Sequence, residues 1–245
     1  MMPEKKTTKK APAAEDSEFI RVRPEETEKE SFAIIARELH LQKIRIPYEH
    51  APVILRCIHT SADFEYAQNL RFSKNAVALA HEAILAGPKI VTDTRLGLSG
   101  INKAALKACG GEIYCCMDDP EVAAEARLRG VTRAAVCMEH ACEEELLGQD
   151  QESPRPYIYA VGNAPTALLT LDALLNEKDS FRPALIIAAP VGFVNVVYAK
   201  QTIQDTLDRL RIPYILAAGR KGGSNISSAI VNALLYQVKN RVPVK

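Results

Sequence analysis

The chain has 245 residues, a formal net charge of +1 at pH 7, 47% hydrophobic residues and 25% charged residues. This composition is ordinary for a globular protein, and the near-zero charge excludes a general electrostatic attraction to nucleic acid or to a membrane surface. Tryptophan is absent and aromatic residues make up only 6% of the chain, which argues against binding by base stacking. No apolar run reaches the length of a membrane span, so we expect no membrane partner.

The chain begins with a segment that has little apolar surface to bury, because residues 1–16 are rich in Lys, Thr and Ala. Such a composition predicts a disordered tail. The segment has neither an apolar core nor an Arg-rich amphipathic helix, so it does not resemble a targeting peptide. We therefore expect a disordered tail over residues 1–16 and one domain over residues 17–245.

The first half of that domain is predicted to be mainly helical. Apolar residues recur at helical spacing, and Gly and Pro mark the ends of several segments. The predicted helices cover residues 25–40, 51–69, 74–86, 102–109, 120–130 and 132–147. Two short strands are predicted at residues 89–93 and 112–117.

The second half alternates strands with helices. Continuous apolar strands are predicted at residues 157–161, 184–189 and 214–218, and the helices that follow at residues 165–176, 195–209 and 224–239. This alternation is typical of a parallel sheet that is covered on both faces. The predicted fold class is a single α/β domain with a mostly parallel central sheet flanked by helices, and with an N-terminal helical flank.

Each of these three strands runs into a Gly- or Pro-containing turn before its helix. The turns cover residues 160–166, 189–195 and 218–225, and the third contains Arg220 and Lys221. N–H groups at the start of a helix lack partners within that helix and carry partial positive charge. If the turns share one edge of the sheet, they form a basin for a large anion. Asn163 and Asn195 are predicted to be N-caps.

Nucleotide-binding motifs are missing from these turns. No G-x-G-x-x-G follows a strand, and the chain has no G-x-x-x-x-G-K-[ST]. The segment 219–224 has the composition of a phosphate loop in a different order. A solvated turn is the alternative interpretation of that segment by itself, and the two other glycine turns favour an anion site.

The sharpest group of candidate catalytic residues is on the second predicted helix. Arg56, His59 and Asp63 are spaced i, i+3 and i+7, so a continuous helix would present them on one face. Histidine can donate and accept protons near neutral pH, and Arg56 could hold an acid group of a ligand. The alternative is an exposed polar face with a satisfied histidine.

The six cysteines are predicted to be reduced thiols of a cytoplasmic protein, since no secretory signal is visible. Cys137, His140 and Cys142 lie close together in the sequence, but their spacing is not a recognised zinc pattern. We therefore expect no metal site.

Five segments, in this order, resemble the precorrin-8X methylmutases, or precorrin isomerases, of cobalamin biosynthesis. They are KESFAII at 29–35, RCIHT at 56–60, VGNAPTAL at 161–168, APVGFV at 189–194 and GRKGGS at 219–224. The resemblance covers nearly everything from residue 19 to residue 238. Ala62 departs mildly from it, because a small residue and often Gly is expected there.

The resemblance implies an isomerase that moves a methyl group between neighbouring carbons of ring C of a corrin precursor and needs no cofactor. His59 would be the catalytic acid that protonates the macrocycle near ring C. The implied substrate-binding residues are Ser31, Arg56, Asn163, Gly192, Arg220, Lys221, Gly222, Gly223 and Ser224. A homodimer with sites near the subunit interface, acting on a small-molecule corrinoid, is expected.

Two other functions remain open from the residues alone. A non-catalytic corrinoid-binding or carrier protein on the same scaffold would need the turns but no acid. An enzyme acting on a sugar phosphate or nucleotide would use residues 219–224 as its anion site, although neither a phosphate loop nor metal-binding carboxylates are found.

Overall fold

A computed structural model describes residues 23–149 and 153–239 of the chain. The predicted disordered tail and the predicted start of the domain at residue 17 lie outside these ranges. None of the helices in the described ranges has the length and apolar content that a bilayer crossing requires.

The N-terminal part is helical, as predicted, but it also supplies an edge strand. A short 3-10 turn at Pro24–Glu26 precedes α1. The elements that follow are α1 (Thr27–Leu41), α2 (Ala51–Ser61), α3 (Tyr66–Asn69), β1 (Leu70–Phe72) and α4 (Ala76–Leu85).

The prediction of one helix over residues 51–69 is wrong. Ala62 adopts a left-handed conformation with φ 53° and ψ 26°, and its N–H donates to the carbonyl of Ile58 at 2.7 Å. This geometry ends α2 in the way that a C-terminal glycine usually ends a helix. The chain then starts a separate short helix, α3.

The middle of the chain contains β2 and β3 with their connecting helices. The bounds are β2 (Lys89–Thr92), α5 (Arg95–Gly100), α6 (Lys103–Ala108), β3 (Glu112–Tyr114), α7 (Pro120–Arg129) and α8 (Arg133–Gly148). Helix α5 was not predicted. Thr94 caps it, because its hydroxyl accepts a hydrogen bond from the N–H of Gly97 at 2.9 Å.

The C-terminal half alternates strictly between strand and helix. The bounds are β4 (Tyr157–Val161), α9 (Pro165–Glu177), β5 (Leu185–Ala188), α10 (Val196–Leu210), β6 (Tyr214–Ala217) and α11 (Ser224–Lys239). The predicted ranges of β4 and α11 are confirmed to the residue, and the other four agree within one residue at each end.

The six strands form one sheet in the order β1-β6-β5-β4-β2-β3. All neighbours are parallel except β1, which pairs antiparallel with β6 at the edge of the sheet. The α/β fold class is thereby confirmed.

Helices cover both faces of the sheet. On β4, Ile158 and Ala160 pack into one core with residues of α1, α2, α4, α6 and α11. Tyr159 and Val161 point to the other core, formed with α7 to α10. Since both faces are buried, the strands are apolar throughout rather than alternating. Helix α2 packs along α11, which is the observed form of the N-terminal helical flank.

The expectation that all six cysteines are free thiols is wrong for two of them. Cys116 and Cys137 form a disulfide between the segment after β3 and the buried side of α8. The predicted strand over 112–117 ends at Tyr114, which leaves Cys116 free to turn toward α8. The sulfur of Cys137 is therefore bonded to that of Cys116 and is not available to a metal. No cluster of three or more potential metal ligands occurs within the described ranges.

Candidate functional site

The three glycine- or proline-containing turns lie at one edge of the sheet, because they follow the carboxyl ends of the neighbouring parallel strands β4, β5 and β6. We call residues 160–166, 189–195 and 218–225 the first, second and third turns. The N–H of Gly223 donates to the carbonyl of Ala189 at 2.8 Å, which joins the third turn to the second. The predicted gathering of these turns at one edge is confirmed.

The first turn does not offer its N–H groups to a ligand. The carboxylate of Asp93, directly after β2, accepts hydrogen bonds from the N–H groups of Gly162, Asn163 and Ala164 at 2.8, 2.8 and 2.7 Å. Asp93 is 1% exposed. Burial raises the pKa of Asp93, and the three N–H groups oppose that rise because they favour the ionised form. An internal carboxylate therefore occupies this anion site.

Neither Asn163 nor Asn195 makes the side-chain capping hydrogen bond that the N-cap prediction implies. Ala164 occupies the N-cap position of α9, and Asp93 supplies the oxygen that satisfies the turn. The side chain of Asn163 is left exposed at the sheet edge. Asn195 does occupy the N-cap position of α10, with φ 58°, but its side chain makes no capping hydrogen bond.

The second turn presents apolar side chains to solvent. Phe193 and Val194 are 83% and 78% exposed, and Gly192 has a φ of 148° that side chains rarely adopt. The N–H of Gly192 donates to the carbonyl of Arg220 at 3.2 Å. The guanidinium of Arg220 lies 5.5 Å from the centre of the Phe193 ring.

The third turn is packed closely against the second. A Cβ on Gly222 would lie 2.2 Å from the carbonyl oxygen of Ala189, so only glycine fits there. The hydroxyl of Ser224 is 2.7 Å from that of Thr94. Gly223 and Ser224 are buried, while Arg220 is exposed.

Lys221 is the cation that joins this edge to the segment between α2 and α3. Its Nζ lies 2.6 Å from Oδ2 of Asp63 and 3.0 Å from Oε2 of Glu65. The hydrogen bond with Asp63 raises the pKa of Lys221. Two carboxylates therefore already bind this ammonium. Arg220 is the exposed cation of the third turn, and no carboxylate of the described residues pairs with it.

Asp63 is not placed to orient His59. Helix α2 ends at Ser61, so Asp63 does not continue the helical face that carries Arg56 and His59. Besides Lys221, Asp63 accepts a hydrogen bond through Oδ1 from the N–H of Glu65 at 3.0 Å. The predicted three-residue face is therefore wrong in its third member.

His59 lies in the last turn of α2 and is exposed. Its imidazole contacts the ring of Phe32 edge-on, with the ring centres 5.3 Å apart. Ser31 precedes Phe32 on α1, and its hydroxyl donates to the carbonyl of Thr27 at 2.8 Å. The structure thus brings His59 close to the α1 segment that the sequence resemblance singled out.

Arg56 is held one turn before His59. Its guanidinium lies between the rings of Phe32 and Tyr236, at 4.9 and 5.0 Å from their centres, and pairs with Glu28. That hydrogen bond lowers the pKa of Glu28, and the positive charge of Arg56 acts in the same direction. A ligand carboxylate that approaches Arg56 must compete with Glu28.

A cavity of about 820 Å³ opens beside Arg56, between the first half of α2, α4 and the last turns of α11. Its lining includes Phe32, Tyr236 and Leu55. Of the candidate site residues, only Arg56 lines it. The helix face at the cavity and the strand edge with its turns are thus two separate surfaces, and the segment after α2 contacts the third turn through Asp63 and Lys221.

Sequence reasoning missed Glu28, Asp93, Thr94 and Lys200 as residues that shape the site. Asp93 had a usable signal, since it is an acidic residue directly after a buried strand, at the edge where parallel sheets bind ligands. Lys200 had another, because it interrupts the apolar face of α10 between Val196 and Ile203. Glu28 had none, because its partner is 28 residues away in sequence.

The comparisons with known proteins agree with this architecture. The family model described as precorrin-8X methylmutase matches residues 26–237. The cobalt-precorrin-8 methylmutase of Priestia megaterium is 36% identical over 215 residues, which are 88% of this chain and 88% of that protein. The precorrin-8X methylmutase of Pseudomonas aeruginosa is 35% identical over 206 residues, which are 84% of this chain and 92% of that protein.

A solved structure shares the fold as well. The precorrin-8x methyl mutase from Thermus thermophilus superposes with a TM-score of 0.75 at 35% sequence identity, over 88% of this chain and 98% of that one. Because the family model spans almost all of the described residues and several relatives exceed 30% identity over most of the chain, this protein belongs to the precorrin-8X methylmutase family of isomerases in cobalamin biosynthesis.

Proposed function

We propose that this chain rearranges precorrin-8X or cobalt-precorrin-8 by moving a methyl group between neighbouring carbons of ring C, with His59 as the acid. The observation that carries the proposal is the placement of His59. It is exposed in the last turn of α2, one turn after Arg56, and the chain that leaves this turn is tied to the third turn through the Asp63–Lys221 ion pair. The names of the relatives support the substrate class.

His59 donates a proton to the macrocycle near ring C, which makes the methyl migration easier. The methyl group leaves one ring carbon and bonds to its neighbour, and loss of a proton restores the charge, so substrate and product contain the same atoms. A positioned acid of this kind contributes about 10²- to 10⁴-fold. The remaining acceleration comes from holding the ring in a reactive geometry.

The acidic side chains of the ring are held by groups on two elements. Arg56 on α2 takes one carboxylate in exchange for Glu28, and Arg220 and the N–H groups of the third turn take another. In this proposal Ser31 contacts the ring from α1, Gly192 and the exposed side chain of Asn163 contact it from the turns, and Gly222 to Ser224 allow the backbone to come close. Lys221 acts by fixing the third turn against Asp63.

The protein acts as a cytoplasmic homodimer in this proposal. Exposed apolar side chains beside a binding site are typical of a surface that contacts another protein. Phe193 and Val194 of the second turn and the nearby Tyr198, which is 63% exposed, form such a group.

The test is turnover of precorrin-8X by the variant His59→Ala, followed by the change in the absorption spectrum. We expect the rearrangement to be abolished while a complex with the corrinoid still forms. His40→Ala, at an exposed position near the end of α1, is the matched control and keeps full turnover. Full turnover by His59→Ala would refute the assignment of the acid. A wild-type spectral change that reverses when the ligand is extracted would indicate a carrier.

A further inference from the structure

Lys200 is a buried lysine of α10 whose ammonium bonds to the backbone of the third turn. It is 2% exposed. Its ammonium donates hydrogen bonds to the carbonyl oxygens of Gly219 and Lys221, at 2.9 and 2.8 Å. No carboxylate in the described ranges pairs with it. A buried lysine without a carboxylate partner is uncommon, because removing the charge from water costs free energy.

The carbonyl between these two is also held. The oxygen of Arg220 accepts a hydrogen bond from the N–H of Gly192 at 3.2 Å. Three successive carbonyls of the third turn therefore bond to groups of α10 and of the second turn.

Inward carbonyls determine where the neighbouring N–H groups point. The described residues contain no cis peptide bond, and in a trans peptide the N–H points away from the carbonyl of the preceding residue. The N–H groups of Arg220, Lys221 and Gly222 are therefore directed away from Lys200 and Gly192. Those of Arg220 and Gly222 donate to no described residue, while that of Lys221 faces the carbonyl of Ala218 across the tight turn at Gly219 and Arg220. Free N–H groups close together in a turn form a site for an anionic oxygen.

We propose that Lys200 is a positioning residue for corrinoid binding. By holding the carbonyls of Gly219 and Lys221, it keeps the third turn in the conformation that presents the N–H groups of Arg220 and Gly222 and the side chain of Arg220 to one carboxylate of the substrate. The inference rests on the proposed function, since it takes the third turn as part of the substrate site.

The charge of Lys200 suits this role. An ammonium beneath the turn adds a positive charge on the side opposite to the bound carboxylate, where water cannot screen it fully. Burial lowers the pKa of Lys200 to about 8, because removing the ammonium from water disfavours its charged form. A purely apolar residue would fill the space without fixing the carbonyls.

The decisive variant is Lys200→Met, which keeps the length of the side chain and removes its donors. We expect the KM for the corrinoid to rise about tenfold, as when hydrogen bonds to a charged group are weakened, with kcat changed less than about threefold. Amide hydrogen exchange of Gly192 and Gly223, measured without substrate, should become faster. Lys89→Met is the matched control, because Lys89 is a buried lysine at the opposite edge of the sheet that pairs with Glu112 and Glu144. It should leave both KM and these exchange rates unchanged.

Arg220→Ala separates the failure of this inference from the failure of the proposed site. If Arg220→Ala raises KM and Lys200→Met does not, the positioning role is wrong while the third turn remains a substrate site. If neither variant changes KM, the third turn does not bind the substrate, and the inference fails with it. If KM rises as much in Lys89→Met as in Lys200→Met, the rise reflects general destabilisation of the protein. That result would also overturn the proposal.

Discussion

Gly162 lies so close to Ser224 that any side chain at position 162 would overlap the backbone of Ser224. A Cβ added to Gly162 would be 2.5 Å from the Cα of Ser224 and 2.6 Å from the hydroxyl oxygen of Ser227. The first turn therefore rests directly on the start of α11, and the third turn is fixed from that side as well. The glycine is required by this close approach and not by an unusual backbone angle.

The variant Gly162→Ala should lower the free energy of unfolding by about 1–3 kcal/mol, because the backbone of α11 must shift to admit the methyl group. Urea denaturation measures this change. Gly148→Ala, where the added Cβ would meet nothing within 4 Å, is the control and should unfold like the parent protein. Equal stability of the two variants would contradict the close contact.

Asp93→Asn tests the internal carboxylate of the first turn. The amide oxygen can accept fewer N–H groups than the carboxylate, and the charge that attracts them is lost. We expect a loss of about 2–4 kcal/mol in unfolding free energy. The control is Asp118→Asn, because Asp118 is exposed and, within residues 23–149 and 153–239, pairs only with the exposed Arg95 at 2.9 Å. Such surface pairs contribute little, so a comparable loss at both positions would argue against the role assigned to Asp93.

Glu145 should make stability depend on pH. It is 6% exposed and accepts a hydrogen bond from the hydroxyl of Tyr159 at 2.9 Å. Burial raises the pKa of Glu145 from 4.5 to about 7. Between these values the unfolded chain releases the proton that the folded chain retains, so stability falls as the pH rises from 4.5 through 7.

The variant Glu145→Gln removes this titration and keeps an acceptor for Tyr159. The free energy of unfolding of the variant, minus that of the parent protein, should increase between pH 4.5 and pH 8 by up to about 3 kcal/mol, because only the parent loses stability in this range. Denaturant titrations at several pH values measure the difference. The exposed neighbour Glu143 on the same helix supplies the control variant, Glu143→Gln. A constant difference for Glu145→Gln would show that Glu145 ionises normally.

Arg56→Lys should impair substrate binding although it keeps the charge. A lysine cannot stack between Phe32 and Tyr236 as the planar guanidinium does, nor bind a carboxylate through two parallel hydrogen bonds. We expect the KM for the corrinoid to rise about tenfold. Arg37→Lys, at an exposed position of α1, should leave KM unchanged, and an unchanged KM in Arg56→Lys would remove Arg56 from the site.

Most of the fold could be predicted because its signals are local. The strands β4, β5 and β6 are continuous apolar runs bounded by turns, and α11 follows directly after the glycines of the third turn. Strand β1 gave no such signal. Its three residues, Leu70–Phe72, have one charged member, and they are a strand because β6 offers a free edge to pair with.

Residue type and the sequence resemblance single out His59 and Arg56, and their roles in the site stay predictions. The site was not predictable where the role depends on a distant partner. Asp63 turns away from His59 because Ala62 ends the helix, and the sequence held one hint of this, since a glycine is often expected at that position. The disulfide between Cys116 and Cys137 and the contact of Lys200 with the third turn depend on tertiary packing.

The antiparallel edge strand β1 affects the distance between His59, the proposed acid, and the third turn. Leu70 pairs with Ala217, two residues before the third turn begins its glycine segment, and the N–H of Ala218 donates to the carbonyl of Asn69 at 2.8 Å. The histidine is only a short stretch of chain away on the other side of α3. Strand β1 therefore fixes the spacing between His59, the proposed acid, and the third turn, the proposed anion site. A slip of one residue in its pairing would displace the two by about 3.3 Å, which is more than the proposed catalysis tolerates.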